Sequence, residues 1–195
     1  MRVFDIKNSG FLLSLFILPT PGEEINWTMI AAFDVQYIEH SCAAAAVIFS
    51  SYRDPRPSFI FTKLLPVAAD YIPGEFFRRE LPCILGLYKT IRQDIDEIIV
   101  DGYVTLGDKP GLGRHLFESL DCKIPVIGVA KSKFKNSSGQ EVYRGKSKRP
   151  LYITSAGINL KEAADRILSM HGAYRIPTLL KQVDILARNE ARQAL

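Results

Sequence analysis

Three apolar segments of this 195-residue chain follow one another with connections too short to contain a helix. They are residues 28–38 (TMIAAFDVQYI), 42–52 (CAAAAVIFSSY) and 56–67 (RPSFIFTKLLPV). Parallel strands need a crossover of a dozen or more residues, whereas antiparallel strands can be joined by a short turn. The three segments therefore predict an antiparallel meander.

The pattern changes after Pro73 and Gly74, where apolar residues recur at helical spacing from Glu75 to Gln93. Strand and helix patterns then alternate, and Asn159 precedes an amphipathic segment as a helix N-cap would. A meander followed by such units predicts an α/β fold, a mixed sheet with helices packed on it. We predict strands at 97–102, 125–130 and 150–154, and helices at 112–120, 159–171 and within 178–193.

Length and composition predict one soluble domain covering residues 1–195. With 47% hydrophobic residues, the chain is long enough for one well-buried core and too short for two comfortable ones. The most apolar early stretch, residues 11–18 (FLLSLFIL), is too short to span a bilayer and predicts a buried strand. A signal-peptide core is the alternative, although no A-x-A-like cleavage site follows it. We therefore expect no association with a membrane.

The cysteines are Cys42, Cys83 and Cys122, an odd number spread widely along the chain. They form no CxxC pair. This spacing predicts neither a disulfide framework nor a zinc site. A reducing compartment fits best, and we expect a cytoplasmic protein.

Positive charge is concentrated in residues 121–150 although the net charge of the whole chain is only +4. Such a segment beside aromatic residues suits a phosphate backbone, and a solvated surface loop is the alternative. We expect Lys146, Lys148 and Arg149 to contact phosphates. The basic residues of the segment are Lys123, Lys131, Lys133, Lys135, Arg144, Lys146, Lys148 and Arg149.

Two aspartates lie on predicted strands, Asp34 within the first and Asp101 at the end of "EIIVD". A buried aspartate costs several kcal/mol unless it is paired or binds a cation. Either residue alone could simply cap a turn. Glu80, on an apolar helical face that follows the meander, suggests that three carboxylates converge, and hard oxygen ligands suit Mg²⁺ or Mn²⁺.

Four segments occur in an order and spacing that resemble the endonuclease V family, nucleases that act on deoxyinosine in DNA or inosine in RNA. They are AFDVQY, YIPGEFFRRELP, IIVDG and GLGRHLFESLDCKIPVIGVAKSKF, within a resemblance that covers about residues 28–185. The resemblance implies a ribonuclease H-like fold with a five-stranded mixed sheet flanked by helices. It also implies a metal-dependent endonuclease for DNA repair that acts as a monomer.

The resemblance assigns a catalytic role to five residues of this chain. It makes Asp34 and Asp101 direct ligands of Mg²⁺, for which Mn²⁺ can substitute, and Glu80 a third metal-site carboxylate acting through water. Lys131, in "GVAKSKF", would neutralise charge on the phosphate. Asp184 takes the place of a polar residue near the site, with a surface position on the last helix as the alternative.

Residues 71–74 (YIPG) resemble the wedge of the family. A proline-stiffened turn that carries Tyr71 and Ile72, followed by Pro73 and Gly74, can enter a base stack and fill the gap left by an extruded base. An ordinary turn at the start of a helix is the alternative interpretation.

The sequence departs from the family after Asp101, where histidine-containing loops usually hold the displaced base. Here Tyr103 and residues 106–111 (LGDKPG), which end at Gly111, take their place. We expect Tyr103 and Gly111 to line the nucleic-acid site. His115 either contacts phosphate or caps its helix.

Two functional classes follow. The first is an active endonuclease that cuts near a deaminated or distorted base. The second is a nucleic-acid-binding protein of the same fold in which lesion specificity or catalysis has been lost or relaxed. The acidic set with Lys131 favours the first class, and the altered loop that begins at Tyr103 favours the second.

Overall fold

The computed structural model describes residues 2–5, 28–38, 41–66, 77–135 and 139–193. No helix in these ranges is both long and apolar enough to cross a membrane. The strands are β1 (Arg2–Asp5), β2 (Ile30–Ile38), β3 (Ser41–Phe49), β4 (Phe59–Pro66), β5 (Glu97–Asp101), β6 (Thr105–Leu106), β7 (Lys109–Pro110), β8 (Val126–Ala130), β9 (Gln140–Val142) and β10 (Leu151–Ala156). The helices are α1 (Phe77–Tyr88), α2 (Leu112–Ser119), α3 (Leu160–Ser169) and α4 (Thr178–Arg192).

One sheet of eight strands organises the molecule, in the order β1-β4-β3-β2-β5-β8-β10-β9. The predicted meander is confirmed, because β2, β3 and β4 pair antiparallel in sequence order. The centre of the sheet is parallel, since β5 pairs with both β2 and β8 in that sense. The predicted mixed α/β sheet flanked by helices is therefore confirmed.

The sheet has eight strands where five were expected. The short strand β1 extends one edge by pairing with β4, and β9 extends the other by pairing with β10. β10 runs antiparallel to β8, because the connection between them holds the short strand β9 instead of a crossover helix. The strand predicted at 11–18 lies outside the described residues.

Helices cover both faces of the sheet and divide the core into two clusters. Alternate residues of β2 and β3, among them Phe33 and Ile48, pack with α1 and α2 on one face. The residues between them, such as Ala32 and Val47, pack with α3 and α4 on the other. Asn159 caps α3 as predicted, since its side chain accepts a hydrogen bond of 2.9 Å from the backbone N–H of Lys161.

The prediction that the cysteines form no disulfide is wrong. Cys42 on β3 and Cys83 on α1 form a disulfide with a Cα–Cα distance of 6.7 Å. Both cysteines are buried, and Cys122 is free and exposed. The two partners are 41 residues apart in sequence, but the fold packs α1 directly onto β3. Sequence spacing therefore failed as a guide, and the bridge ties α1 to the sheet.

Candidate active site at the carboxyl ends of three parallel strands

Asp34, Asp101 and Lys131 meet where the parallel strands β2, β5 and β8 end. Phe33 is the last residue of β2 that pairs with β5, opposite Val100, so Asp34 and Asp101 follow side by side. Asp101 itself pairs with Val129 of β8, two residues before Lys131. The predicted adjacency of the two aspartates is confirmed.

The same three side chains project toward α4. Side chains alternate along a strand, and the residues two positions earlier, Ala32, Ile99 and Val129, belong to the cluster packed on α3 and α4. Asp34, Asp101 and Lys131 accordingly lie against Pro177 and Val183 at the start of α4. Asp184 directly follows Val183 in that helix.

A cleft of about 470 Å³ gathers the predicted acidic residues, and we call it the acidic cleft. Asp184 enters it from α4, whereas Glu80 enters from α1 on the opposite face of the sheet. It therefore contains all five residues predicted to be catalytic. The acidic cleft is lined by Asp34, Val35, Gln36, Phe77, Glu80, Asp101, Gly102, Tyr103, Leu106, Gly111, Leu112, Lys131, Asp184 and Arg188.

Negative charge in the acidic cleft exceeds what the protein itself compensates. Glu80 is only 7% exposed, and burial, together with the charges of Asp34 and Asp101, raises its pKa to about 9. Burial and the charge of Asp101 also raise the pKa of Asp34, although the backbone N–H of Val35 donates to its carboxylate at 2.8 Å. Such a site favours a bound cation or bound protons.

Lys131 is the lysine of the acidic cleft, and its ammonium nitrogen lies 2.5 Å from Oδ2 of Asp101. Burial lowers the pKa of Lys131, but the hydrogen bond and charge of Asp101, with the charges of Asp34 and Asp184, raise it overall. Lys131 is therefore a firmly charged cation at the point where a phosphate would meet the carboxylates.

The donor set suits a hard divalent cation, because every acidic side chain of the acidic cleft offers carboxylate oxygens. Burial and neighbouring carboxylates raise the pKa values of Asp34 and Glu80, which supports the same fit. Within the described ranges, however, no three acidic, histidine or cysteine side chains are close enough together to form a ligand group. Glu80 approaches from the opposite face of the sheet, and Asp101 is hydrogen-bonded to Lys131.

Tyr103 lines the acidic cleft but uses its hydroxyl group inside the protein. The hydroxyl donates to the carbonyl oxygen of Ser132 at 2.7 Å and accepts from the backbone N–H of Phe134 at 3.0 Å. It thereby joins the loop after β5 to the loop after β8. The face of the ring, rather than the hydroxyl group, is left to meet a ligand.

Gly111 and His115 occupy different positions relative to the acidic cleft. A Cβ atom on Gly111 would lie 2.4 Å from the carbonyl oxygen of Tyr103, so the close approach of these two loops requires glycine. His115 lies on α2 and stacks on Phe77 of α1, with ring centroids 3.8 Å apart. Gly111 lines the acidic cleft, and His115 is not among its lining residues.

The basic segment is less uniform than its sequence. Lys146, Lys148 and Arg149 are exposed in the loop between β9 and β10, and Lys146 lines a second cavity beside Lys131. Arg144, in contrast, is buried, and burial lowers its pKa. Its guanidinium donates to the main-chain carbonyls of Leu168, Met170, Gly172, Tyr174 and Arg175.

The predicted wedge, Tyr71, Ile72, Pro73 and Gly74, lies outside the described residues. The segment precedes α1, and Phe77 at the start of that helix lines the acidic cleft. The predicted wedge is therefore close in sequence to the site.

Sequence reasoning assigned no role to Arg175 or Arg188. Arg175 donates to the carbonyl oxygen of Pro150 at 2.7 Å and also to that of Lys131. Arg188 lies one turn after Asp184 and donates to its carboxylate at 2.9 Å. The spacing of four residues between Asp184 and Arg188 was a usable signal in the sequence, whereas the contacts of Arg175 depend on tertiary structure alone.

Comparison with known proteins identifies relatives of this chain. A family model described as Endonuclease V matches residues 17–152. A protein named Endonuclease V from Nostoc punctiforme is 28% identical over 181 residues, covering 81% of this chain and 81% of that relative.

Solved structures share the fold. Human ENDOV superposes with a TM-score of 0.68 at 24% identity, covering 86% of each chain. An endonuclease V from Ciona intestinalis, in complex with a 24mer DNA containing an inosine followed by a ribo-adenosine, superposes with a TM-score of 0.72 at 17% identity. The match covers 86% of this chain and 87% of that one. The predicted ribonuclease H-like fold is confirmed.

Proposed function

Because this chain belongs to the endonuclease V family, we propose that it hydrolyses a phosphodiester bond near a deaminated base. Its substrate is DNA that contains deoxyinosine, and RNA that contains inosine is a second candidate. The observation that carries the proposal is the acidic cleft, where Asp34, Glu80, Asp101 and Asp184 surround Lys131 at the carboxyl ends of parallel strands. Ligand sites of open α/β sheets lie at such ends.

The carboxylates hold a divalent cation, Mg²⁺ or Mn²⁺, in our proposal. Asp34 and Asp101 bind it directly, and Glu80 binds it through water. Asp184 adds a fourth carboxylate to the lining of the acidic cleft. When bound, such an ion lowers the pKa of water and neutralises charge on the phosphate. The excess of carboxylates over cations supports this role, since it favours a cation over an empty site.

Lys131 and Asp101 set the position of the phosphate. The ammonium group of Lys131 already has a carboxylate partner at 2.5 Å, and a phosphate oxygen is an equivalent acceptor. A lysine in this position stabilises the charge that develops on the phosphate as the bond breaks.

The wedge is proposed to act on paired substrates. We infer that residues 71–74 enter the base stack when a base leaves the helix, as the resemblance to the family implies. Tyr71→Ala should then reduce cleavage of paired lesion duplexes about tenfold or more relative to single strands, because unstacking costs a few kcal/mol only in the duplex. Equal loss on both substrates would make Tyr71 a folding residue.

Relaxed lesion specificity is the second candidate, favoured by the contacts of Tyr103. Its hydroxyl group is occupied by the loop after β8, so it is not free to read a base edge. If this is correct, discrimination between hypoxanthine and adenine will be weaker than in relatives with the histidine loop.

A gel assay with Mg²⁺ or Mn²⁺ tests the proposal. The substrates are matched oligonucleotides that contain inosine, uracil, a mismatch or no lesion, in DNA and in RNA. We expect cleavage that requires the cation, is strongest beside inosine and is absent in Asp101→Asn. Failure to cut any substrate with either cation would contradict the proposal.

We further propose that residues 1–195 form one endonuclease V-like domain and that the protein acts as a monomer. The cysteines no longer support a cytoplasmic location, because Cys42 and Cys83 form a disulfide and such bonds are rare in reducing compartments. Sedimentation of the full-length chain with and without an oligonucleotide tests the monomer.

A further inference from the structure

We propose that a groove beside the acidic cleft holds the substrate strand on one side of the scissile phosphate, with a base stacked on Tyr174. This inference rests on the proposed function. The groove has a volume of about 890 Å³, and we call it the basic groove. Its polar and aromatic lining comes chiefly from Lys131, Lys146, Tyr174, Arg175, Lys181 and Arg188.

The basic groove adjoins the acidic cleft. Lys131, Asp184 and Arg188 line both cavities. A nucleic-acid strand whose phosphate meets Lys131 in the acidic cleft would therefore lie beside the basic groove.

The charges of the two cavities are opposite. Four carboxylates line the acidic cleft, whereas five cationic side chains and one carboxylate, Asp184, line the basic groove. Lys146 and Lys181 are exposed and form no ion pair within the described part of the chain. Such cations are available to replace the counterions of a phosphate backbone.

Tyr174 supplies an aromatic surface at the basic groove. It is 78% exposed, more than any other exposed large hydrophobic residue of the described chain. Its backbone is nevertheless fixed, because the buried Arg144 donates to the carbonyl oxygens of Gly172 and Tyr174, each at 3.2 Å. An exposed ring on a rigid backbone between cations is the arrangement on which bases of single strands stack.

Arg175 fixes the floor of the basic groove. Its guanidinium group donates hydrogen bonds to the carbonyl oxygens of Pro150 and Lys131. It therefore contributes positive charge and holds the backbone of Lys131, while the neighbouring ring of Tyr174 remains free to meet a base. Tyr174 and Arg175 thus have separate roles.

Binding of a fluorescent, lesion-free single-stranded DNA oligonucleotide in EDTA tests the stacking role without cleavage. We expect Tyr174→Ala to weaken binding about tenfold and Tyr174→Phe to bind within about twofold of the unmodified protein, since stacking contributes about 1–3 kcal/mol per base. Tyr143→Ala is the matched control, because Tyr143 is 55% exposed but does not line the basic groove. Unchanged binding in Tyr174→Ala, or an equal loss in Tyr143→Ala, would overturn the proposal.

The dependence of binding on salt tests the backbone role. Replacing both Lys146 and Lys181 with glutamine should reduce the slope of log K against log salt by about 1.4, because each phosphate contact contributes about 0.7 for single strands. Tyr174→Ala should leave the slope unchanged, as should the control Lys89→Gln/Lys161→Gln on exposed lysines outside the basic groove. An unchanged slope in the Lys146/Lys181 variant would overturn this assignment and leave the groove to a protein partner.

Truncated oligonucleotides locate the strand. One oligonucleotide carries the lesion near its 5′ end and the other carries it near its 3′ end. Tyr174→Ala should weaken binding of only one of these two oligonucleotides. Equal effects on both would contradict a groove on one side of the site. If the protein cuts no substrate but these binding differences hold, the proposed function is wrong and the binding role of the basic groove is retained. If the protein cuts its substrate and Tyr174→Ala has no effect on binding, the proposed function is retained and the role of the basic groove is wrong.

Discussion

The two ends of β5 each carry a carboxylate in a different electrostatic setting. Glu97 begins the strand with its side chain only 2% exposed, and Arg166 of α3 forms an ion pair with it. Asp101 ends the strand with a side chain 37% exposed, paired with Lys131. Around Asp101 lie the further carboxylates of the acidic cleft.

The difference appears in what surrounds each buried acid. Burial raises the pKa of Glu97 to about 7, and the nearby charge and hydrogen bond of Arg166 act against that rise. At Asp34 and Glu80 burial also raises the pKa, but there the neighbouring charges of Asp101 and Asp34 raise it further. At Glu97 a neighbouring cation offsets part of the cost of burial, although one carboxylate oxygen has no hydrogen-bond partner within the described chain. At Asp34 and Glu80 neighbouring carboxylates add to that cost, which a bound cation would relieve.

Substitutions near the two ends of β5 should differ in their effect on cleavage. We expect Asp34→Asn or Asp101→Asn to reduce cleavage at least about 10³-fold, since a catalytic metal contributes several kcal/mol and about 1.4 kcal/mol is tenfold. Nucleic-acid binding and thermal stability should survive. Cleavage rates at saturating Mg²⁺ check this, and wild-type turnover in either variant would exclude the proposed centre.

Glu97→Gln is the matched control at the other end of the strand. It should change the free energy of unfolding by no more than about 1 kcal/mol, because burial already raises the pKa of Glu97 to about 7 and a neutral amide oxygen can still accept from Arg166. Cleavage by the folded protein should be unchanged. A large loss of turnover with normal stability would mean that the two ends do not have separate roles.

Removing the disulfide should destabilise the protein, because the bond ties α1, which carries Glu80, to the sheet. Cys83 lies one turn after Glu80, and its bond to Cys42 closes a loop with a sequence separation of 41 residues. The double variant Cys42→Ala/Cys83→Ala should lose about 4 kcal/mol in the free energy of unfolding. Denaturant melts check this against Cys122→Ser, a change at an exposed free thiol. Equal midpoints would show that the bond is dispensable.

Arg175 should affect the acidic end more weakly, through the position of Lys131. Arg175→Lys keeps the charge but loses the planar fork that reaches two carbonyl oxygens. We expect about a tenfold lower turnover with little change in stability, because small displacements of a catalytic group reduce rates strongly. The control is Arg92→Lys, at an exposed arginine outside the acidic cleft. Unchanged turnover would remove the positioning role.

The sequence predicted the parts of the fold and site that depend on local pattern. The short connections specified the meander, and Asn159 marked the start of α3. Asp34 and Asp101 stood out because an aspartate interrupts or ends an apolar strand. These signals involve residues close together in the chain or the ends of neighbouring strands.

Contacts between distant segments were not predictable in this way. The bond between Cys42 and Cys83 depends on how α1 packs on β3. The burial of Arg144 could not be predicted from the sequence, because its partners are main-chain carbonyl oxygens, which every residue has. Exposed and buried arginines therefore looked alike in the basic segment.

The most direct test of the contrast between the two ends is a thermal melt with and without Mg²⁺ or Mn²⁺. At a concentration about 100 times the dissociation constant, a cation bound by the folded state alone adds about 2.7 kcal/mol of stability. We predict this rise in melting temperature for the unmodified protein and for Glu97→Gln, and none for Asp34→Asn. A rise of equal size in all three proteins would contradict a cation site at the acidic end of β5.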